Sequence, residues 1–316
     1  MSLLDVVHTI QLPSAKALAV AIHPDGRLCA AGDRDGVIHV IDIERGEIIR
    51  KLRPHNEFVY TLAFHPETGH LFSAGKDKSI REWDIETGDF LIDHAGIYVS
   101  AGARTMGAQK LKPTTRSHSM TILSIALERD GLMATGGQDR KVKLWKNGEP
   151  VRTYDWHMGP VTCVRFEPEK LVLYSASRDM TIRSWNEETG AVIHKYSGHT
   201  TEIIGLEFID ADRFLSVDKR GAVIAWLVEK ENMQGVLCDT GRATVCAHRM
   251  DDTLLMGLED GSIVGIPAKF GEKIDKVAPV FDENRHQVDV RCIASHANGT
   301  VVSGDNAGKV ILWKRS

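Results

Sequence analysis

The 316-residue chain has little of what marks several large protein classes. Its five cysteines (Cys29, Cys163, Cys238, Cys246, Cys292) form no Cys-x-x-Cys pair, which excludes a disulfide framework and the common zinc-ribbon spacing. No apolar run approaches the roughly 18 residues that a membrane-spanning helix needs. The segment Met1-Ser2-Leu3-Leu4-Asp5-Val6 has no basic leader and an early acid, so it does not read as a secretory signal. Charge of one sign is missing too. Lys and Arg total 39 against 43 Asp and Glu, and the formal charge of −4 excludes a uniformly basic packaging protein and an acidic solvating tail. The composition reads as a soluble chain of a reducing compartment, expected in the cytoplasm.

What is present is repetition. One five-residue segment recurs seven times, ending at residues 41, 83, 145, 185, 226, 266 and 313, as in Ser79-Ile80-Arg81-Glu82-Trp83 and Thr181-Ile182-Arg183-Ser184-Trp185. Its second residue is always Ile or Val, and its last is Trp in five copies and Ile in two. Most intervals lie near 41 residues, the length of a four-stranded propeller blade. Apolar strands precede each copy (Val59, Leu62, Phe64; Val161, Val164, Phe166), and Asp-Gly or Thr-Gly turns separate them. Short strands at even spacing without helix periodicity mean an all-β chain. The expectation is one domain over residues 1–316, a seven-bladed β-propeller of four-stranded antiparallel blades, with a loop insertion at about 94–119 between blades two and three.

These repeats resemble the WD-repeat family over nearly the whole chain, and Trp83-Asp84 spells the family's name-giving dipeptide. The resemblance implies a buried tetrad of His, Ser or Thr, Asp and Trp in each complete blade. Blade two matches with His55, Ser73, Asp77 and Trp83; blade three with His118, Thr135, Asp139 and Trp145; blade four with His157, Ser175, Asp179 and Trp185. Blade five keeps His199, Ser216 and Trp226 but has Arg220 at the Asp place, and blade seven keeps His286, Ser303 and Trp313 but has Ala307. Blades one and six show no tetrad, so blades one, five, six and seven are expected to be held mainly by packing. The resemblance further implies that the spare strand Val6-Val7-His8-Thr9-Ile10 closes blade seven.

No catalytic or metal constellation emerges. Five of the fourteen histidines fall in the tetrad register, and the others show no ligand spacing. Gly304-Asp305-Asn306-Ala307-Gly308-Lys309 is one residue short of a phosphate loop and lacks its helix. Asp33-Arg34-Asp35-Gly36 lacks the distal Glu of a calcium loop. The chain therefore reads as a non-enzyme without cofactor or metal.

In the family, the face carrying the His-bearing loops surrounds the central channel and contacts partners. Its register implies that Lys16, Arg34, Phe58, Tyr60, Lys76, Arg178, Lys219, Arg242 and Arg291 stand on this rim. The full rim set of three residues per blade holds seven basic and three acidic residues, a net of +4. The insertion adds Arg104, Lys110, Lys112 and Arg116 without an acid. The expectation is an electropositive funnel for an acidic or phosphorylated protein surface, the chain being a monomeric interaction scaffold within a larger complex. Nucleic-acid or phosphate binding by the same funnel is the alternative reading, and a hydrolase with its site there is a third.

Overall fold

In every repeat the second strand is buried on both faces. Leu71–Gly75 and Thr300–Asp305 are buried at each residue, and Val172–Ser177 at all but the first. Small and β-branched residues (Ser73, Ala74, Val301, Val302) suit a strand pressed between two neighbouring sheets. The outermost strands alternate instead, as in Glu47–Leu52 and Val192–Ser197, with every second side chain toward solvent. Burial therefore falls from the middle of each repeat outward.

The computed structural model describes residues 4–14, 16–53, 55–94, 117–128, 131–168, 170, 172–229, 235–270 and 276–316. Among them the regular elements are β-strands, with no α-helix, arranged as seven four-stranded antiparallel sheets. After β1 (Leu4–Gln11), blade one consists of β2 (Ala17–Ile22), β3 (Leu28–Asp33), β4 (Ile38–Asp42) and β5 (Glu47–Leu52), paired in chain order. Five further blades follow with the same order. The inner strands Val59–Phe64, Ile122–Leu127, Val161–Phe166, Ile203–Phe208, Thr244–Met250 and Val290–Ser295 pack in sequence, and the last packs on β2, which completes a ring. The chain is a seven-bladed β-propeller. The insertion expected at 94–119 lies largely outside the described residues.

An inner strand has one ladder partner, so its other edge offers unpaired N–H and C=O groups to the channel. The third residue of these strands meets that need. Thr61 Oγ1 accepts from Ile125 N (3.2 Å), Ser124 Oγ accepts from Val164 N (3.1 Å), and Cys246 and Cys292 place Sγ 3.4 and 3.6 Å from the carbonyls of Val290 and Ala17. Each contact reaches the next blade. Cys163 does the same toward the Leu206 carbonyl at 3.9 Å, so three of the five cysteines serve as small, weakly polar fillers between blades.

Closure uses β1, longer at both ends than the strand expected from the sequence. It pairs antiparallel with β28 (Lys309–Arg315), from Leu4↔Arg315 to Gln11↔Lys309, with a bulge between Val6 and His8. Leu4 packs in a cluster with Trp313 and Ile311, and Ile10 with Val310 and Leu312. Both are buried, worth about 1.5–3 kcal/mol each in apolar transfer alone. Deleting residues 1–11 should therefore lower the thermal midpoint on the order of 10 °C. An unchanged midpoint in a calorimetric scan would contradict closure by β1.

Candidate functional site

Each blade sends two loops to one face of the ring: the loop entering its inner strand and the turn between its second and third strands. A buried histidine joins them. In blade two, His55 Nδ1 lies 2.8 Å from Asp77 Oδ1 and Nε2 lies 2.9 Å from Ser73 Oγ, while Trp83 Nε1 donates to that hydroxyl at 3.2 Å. Blade three repeats the chain with His118, Asp139, Thr135 and Trp145 at 2.8, 2.9 and 2.9 Å. Blade four does so with His157, Asp179, Ser175 and Trp185 at 2.8, 2.8 and 2.8 Å. The donors fix the order: indole N–H to hydroxyl, hydroxyl to Nε2, and Nδ1–H to carboxylate. Every polar atom is then satisfied out of water's reach, which is what makes the arrangement affordable.

Blades five and seven have the same chain, contrary to the expectation drawn from Arg220 and Ala307. His199 Nδ1 meets Asp218 Oδ2 at 3.0 Å, and His286 Nδ1 meets Asp305 Oδ2 at 2.8 Å. Their Nε2 atoms meet Ser216 and Ser303 at 2.6 and 2.7 Å, and Trp226 and Trp313 complete the chains. These carboxylates sit two residues after the serine rather than four. Residues two apart on a strand share a face, so Asp218 rises beside Ser216 directly toward the ring. In blade three Gly137 occupies that place. A Cβ there would lie 2.4 Å from His118 Nδ1 and 2.5 Å from Asp139 Oδ1, so the space is already filled by the carboxylate arriving from the turn. Blade four holds Ser177 at that place, its hydroxyl accepting from Asp179 N at 3.1 Å, so a small side chain fits there beside the turn carboxylate.

The unmatched blades keep a fragment of the same device. In blade one Asp33, again at the end of the second strand, holds His39 Nε2 at 2.8 Å, and both are buried. In blade six Asp260, at the turn place, holds Arg242 at 2.7 Å. Packing alone is therefore not what orders these rim loops.

For the five tetrad carboxylates (Asp77, Asp139, Asp179, Asp218 and Asp305) burial raises the pKa, but the hydrogen bond and charge of the histidine, with further backbone donors, bring it below the usual carboxylate range. The unfolded chain thus binds these protons more tightly. The stability they contribute is complete above about pH 4 and is lost as pH falls through the lowered native values.

The rim residues owe their place to backbone geometry. Every inner strand has a register shift after its first residue, for example between Val59 and Thr61 and between Val161 and Cys163. The residue inside the bulge has no cross-strand partner, and such a kink re-aims its side chain. Tyr60 and Arg291 stand at such bulges. A backbone bond recurring in blades two to seven marks the other two places: Lys76 N to Phe58 O, Gln138 N to Thr121 O, Arg178 N to Pro160 O, Lys219 N to Glu202 O and Asn306 N to Asp289 O. In blade six that bond joins Glu259 N to Ala243 O. The rim residues there are Ala243 and Val245, so Arg242 falls one residue short of the rim place expected for it from the sequence. Thr244 is buried, and Arg242 is held by Asp260, by Asp282 at 2.6 Å and by the Ser262 hydroxyl.

The positive charge is accordingly smaller and more local than a funnel of +4. Acids pair with Arg178 (Glu202, 3.7 Å), Arg291 (Asp289, 3.9 Å) and Lys76 (Glu57, 2.7 Å). Among the described residues Lys16, Arg34 and Lys219 have no ion pair. Arg104, Lys110, Lys112 and Arg116 lie outside the described residues.

What the fold does bring together is an aromatic–cationic cluster where blades one and two meet. The Phe58 and Tyr60 rings are 5.9 Å apart, and the Phe58 ring carries Arg34 at 5.7 Å and Lys76 Nζ at 5.0 Å from its centroid. Such contacts hold two cations at fixed places while leaving their outer faces to solvent.

The WD domain, G-beta repeat model matches residues 5–42, 46–84, 109–146, 148–186 and 279–314. The chain belongs to the WD40 repeat family. The unmatched stretch from 187 to 278 holds the outer strand of blade four, blade five and the first three strands of blade six; the tetrad is shifted in blade five and absent in blade six. Among curated proteins, the chain is 26% identical to U3 snoRNP-associated protein-like EMB2271 of Arabidopsis thaliana, over 73% of this chain and 48% of that one. It is 28% identical to eukaryotic translation initiation factor 3 subunit I of Aspergillus terreus, over 61% of this chain and 63% of the relative. Nuclear distribution protein PAC1 of Arthroderma benhamiae is 30% identical over 51% of this chain and 36% of its own length. The chain thus spans about half to under two thirds of the first two relatives.

Replacing Asp218 by Ala should cost about 1–3 kcal/mol by orphaning His199, whereas Arg220→Ala should stay within roughly 0.5 kcal/mol. The Asp218 cost should shrink below about pH 4. Urea titrations at pH 7 and pH 3 measure both, and equal effects of the two substitutions would refute the shifted tetrad.

Proposed function

We propose that the protein is a non-catalytic interaction scaffold that captures an acidic or phosphorylated segment of a partner protein on this rim. The observation that carries the reading is the Phe58 cluster: an aromatic ring with Arg34 and Lys76 against it, the blade-two loops pinned by a buried tetrad and the blade-one turn by Asp33. Arg34 and Lys76 supply charge to a carboxylate or phosphate, while Phe58 and Tyr60 supply rigid apolar area beside it, the combination that dominates many interfaces. A ring with independently variable loops on one rigid frame suits assembly within a complex. Two of the relatives are named as a subunit and as an associated protein of larger particles, which accords with that role. A cytoplasmic location belongs to the same proposal. Among the described residues no helix is long and apolar enough to cross a membrane.

The test uses phosphoserine-containing and glutamate-rich synthetic peptides, with fluorescence anisotropy as the readout. Charge reversal at Arg34→Glu and Lys76→Glu together should weaken binding at least about tenfold, since each charge-assisted contact contributes roughly 1.5–3 kcal/mol. Unchanged affinity would overturn the reading. Tighter binding of generic oligonucleotides, falling steeply with salt, would transfer the cluster to a nucleic-acid backbone instead.

A further inference from the structure

Five of the six tryptophans belong to tetrads and are at most 7% exposed. The sixth, Trp156, is 62% exposed. It precedes His157 in the rim loop of blade four, and Met158 on the other side of that histidine is 77% exposed. The loop is held against the turn that follows: His157 Nδ1 meets Asp179 at 2.8 Å, and Met158 N donates to the same carboxylate at 2.9 Å. Directly after Asp179 stands Met180, 43% exposed, so three large apolar side chains flank two residues that are bonded to each other.

Nothing about the fold demands them. Asn56, Ser119, Thr200 and Gln287 occupy the place of Met158 in the other blades with a loop histidine. Met180 even sits at a backbone angle that disfavours a side chain, with φ of 66°, where blades one, five, six and seven have Gly36, Gly221, Gly261 and Gly308. An exposed Trp and two exposed Met on one rigid loop pair thus cost solvation and backbone strain without stabilising the ring. Trp is the residue most enriched at binding hot spots, and Met adapts its shape to a partner.

The charges around the three side chains define the occupant. Arg140 is exposed and without an ion pair among the described residues, and Arg178 is about half exposed beside Glu202 at 3.7 Å. Lys141 and Asp155 pair at 3.4 Å and cancel. With those pairs cancelled, the unpaired Arg140 leaves an apolar patch with one excess positive charge, which complements a carboxylate set beside an apolar anchor.

We propose that Trp156, Met158 and Met180 form an anchor site for a partner-protein segment carrying a large apolar side chain beside an acidic residue. This rests on the reading that the rim captures an acidic protein segment, and it names a second contact point on blade four and the chemistry that fills it.

The test is selection of a phage-displayed random 12-residue peptide library on the full chain. Counter-selections use the double variants Met158→Ser/Met180→Gly and Arg34→Glu/Lys76→Glu. Glycine suits the Met180 backbone, so the first variant should keep its thermal midpoint. Expected are peptides with Leu, Ile, Phe or Trp flanked by Asp or Glu, which protect Trp156 from acrylamide quenching and bind the first variant at least tenfold more weakly. Because the other five tryptophans are buried, quenching reads Trp156 alone. Enriched acidic peptides that lack an apolar residue and lose binding only on the second variant would overturn this proposal and leave the rim reading standing. Failure to enrich acidic peptides of any kind would overturn both. A concentration-dependent dimer that the first variant abolishes in sedimentation would assign the patch to a second copy of the chain, also against the proposal.

Discussion

The contact on which the rim depends is the hydrogen bond from a loop histidine to a buried carboxylate. The histidine arrives on the loop that enters the inner strand, and the carboxylate belongs to the end of the second strand or the turn after it. Their bond therefore ties together the two loops that each blade sends to the same face. Loops ordinarily move, and a binding surface made of loops is exact only where something buried holds them. Here the hold is a chain of satisfied groups running from the tryptophan through hydroxyl and imidazole to carboxylate. Removing one member leaves the others unpaired in a dry site, which is why the chain is either complete or rebuilt with different parts. Blades one and six show such rebuilding, with Asp33 on His39 and Asp260 on Arg242.

The fold was legible because its signals are local and recur. A Trp or Ile every forty residues or so, with a Ser or Thr ten positions before each Trp, sets blade number and strand order without knowledge of tertiary contacts. What escaped is equally specific. Asp218 and Asp305 were in plain view, but their place two residues after the serine matches no fixed spacing, and only the period-two geometry of a strand shows that it delivers a carboxylate to the same nitrogen. Blade six slipped by one residue because it has no histidine to mark where its loop enters. The charge of the rim could not be summed from rim positions alone, because Glu57, Asp260 and Asp282 neutralise from neighbouring positions.

Two parts of the rim stand out once the paired charges are removed. At the junction of blades one and two an aromatic ring carries the unpaired Arg34 beside Lys76, which also meets Glu57; on blade four three apolar side chains stand in solvent. Trp156 went unremarked in the sequence because tryptophan in this chain is overwhelmingly a tetrad residue, and only burial separates the one that is not. The ring that gives these groups fixed places adds no chemistry of its own, in keeping with the general separation of fold from function.

Native-state hydrogen exchange on the Asp218→Ala variant tests most directly whether the carboxylate orders the rim. In the native chain Asp218 Oδ1 accepts from the amides of Arg220 and Ala222, and Oδ2 holds His199. The account predicts that protection is lost at those two amides and in the His199 loop, while the inner strands and the other blades keep theirs. Unchanged exchange in the blade-five loops, or a uniform loss over the whole ring, would contradict it.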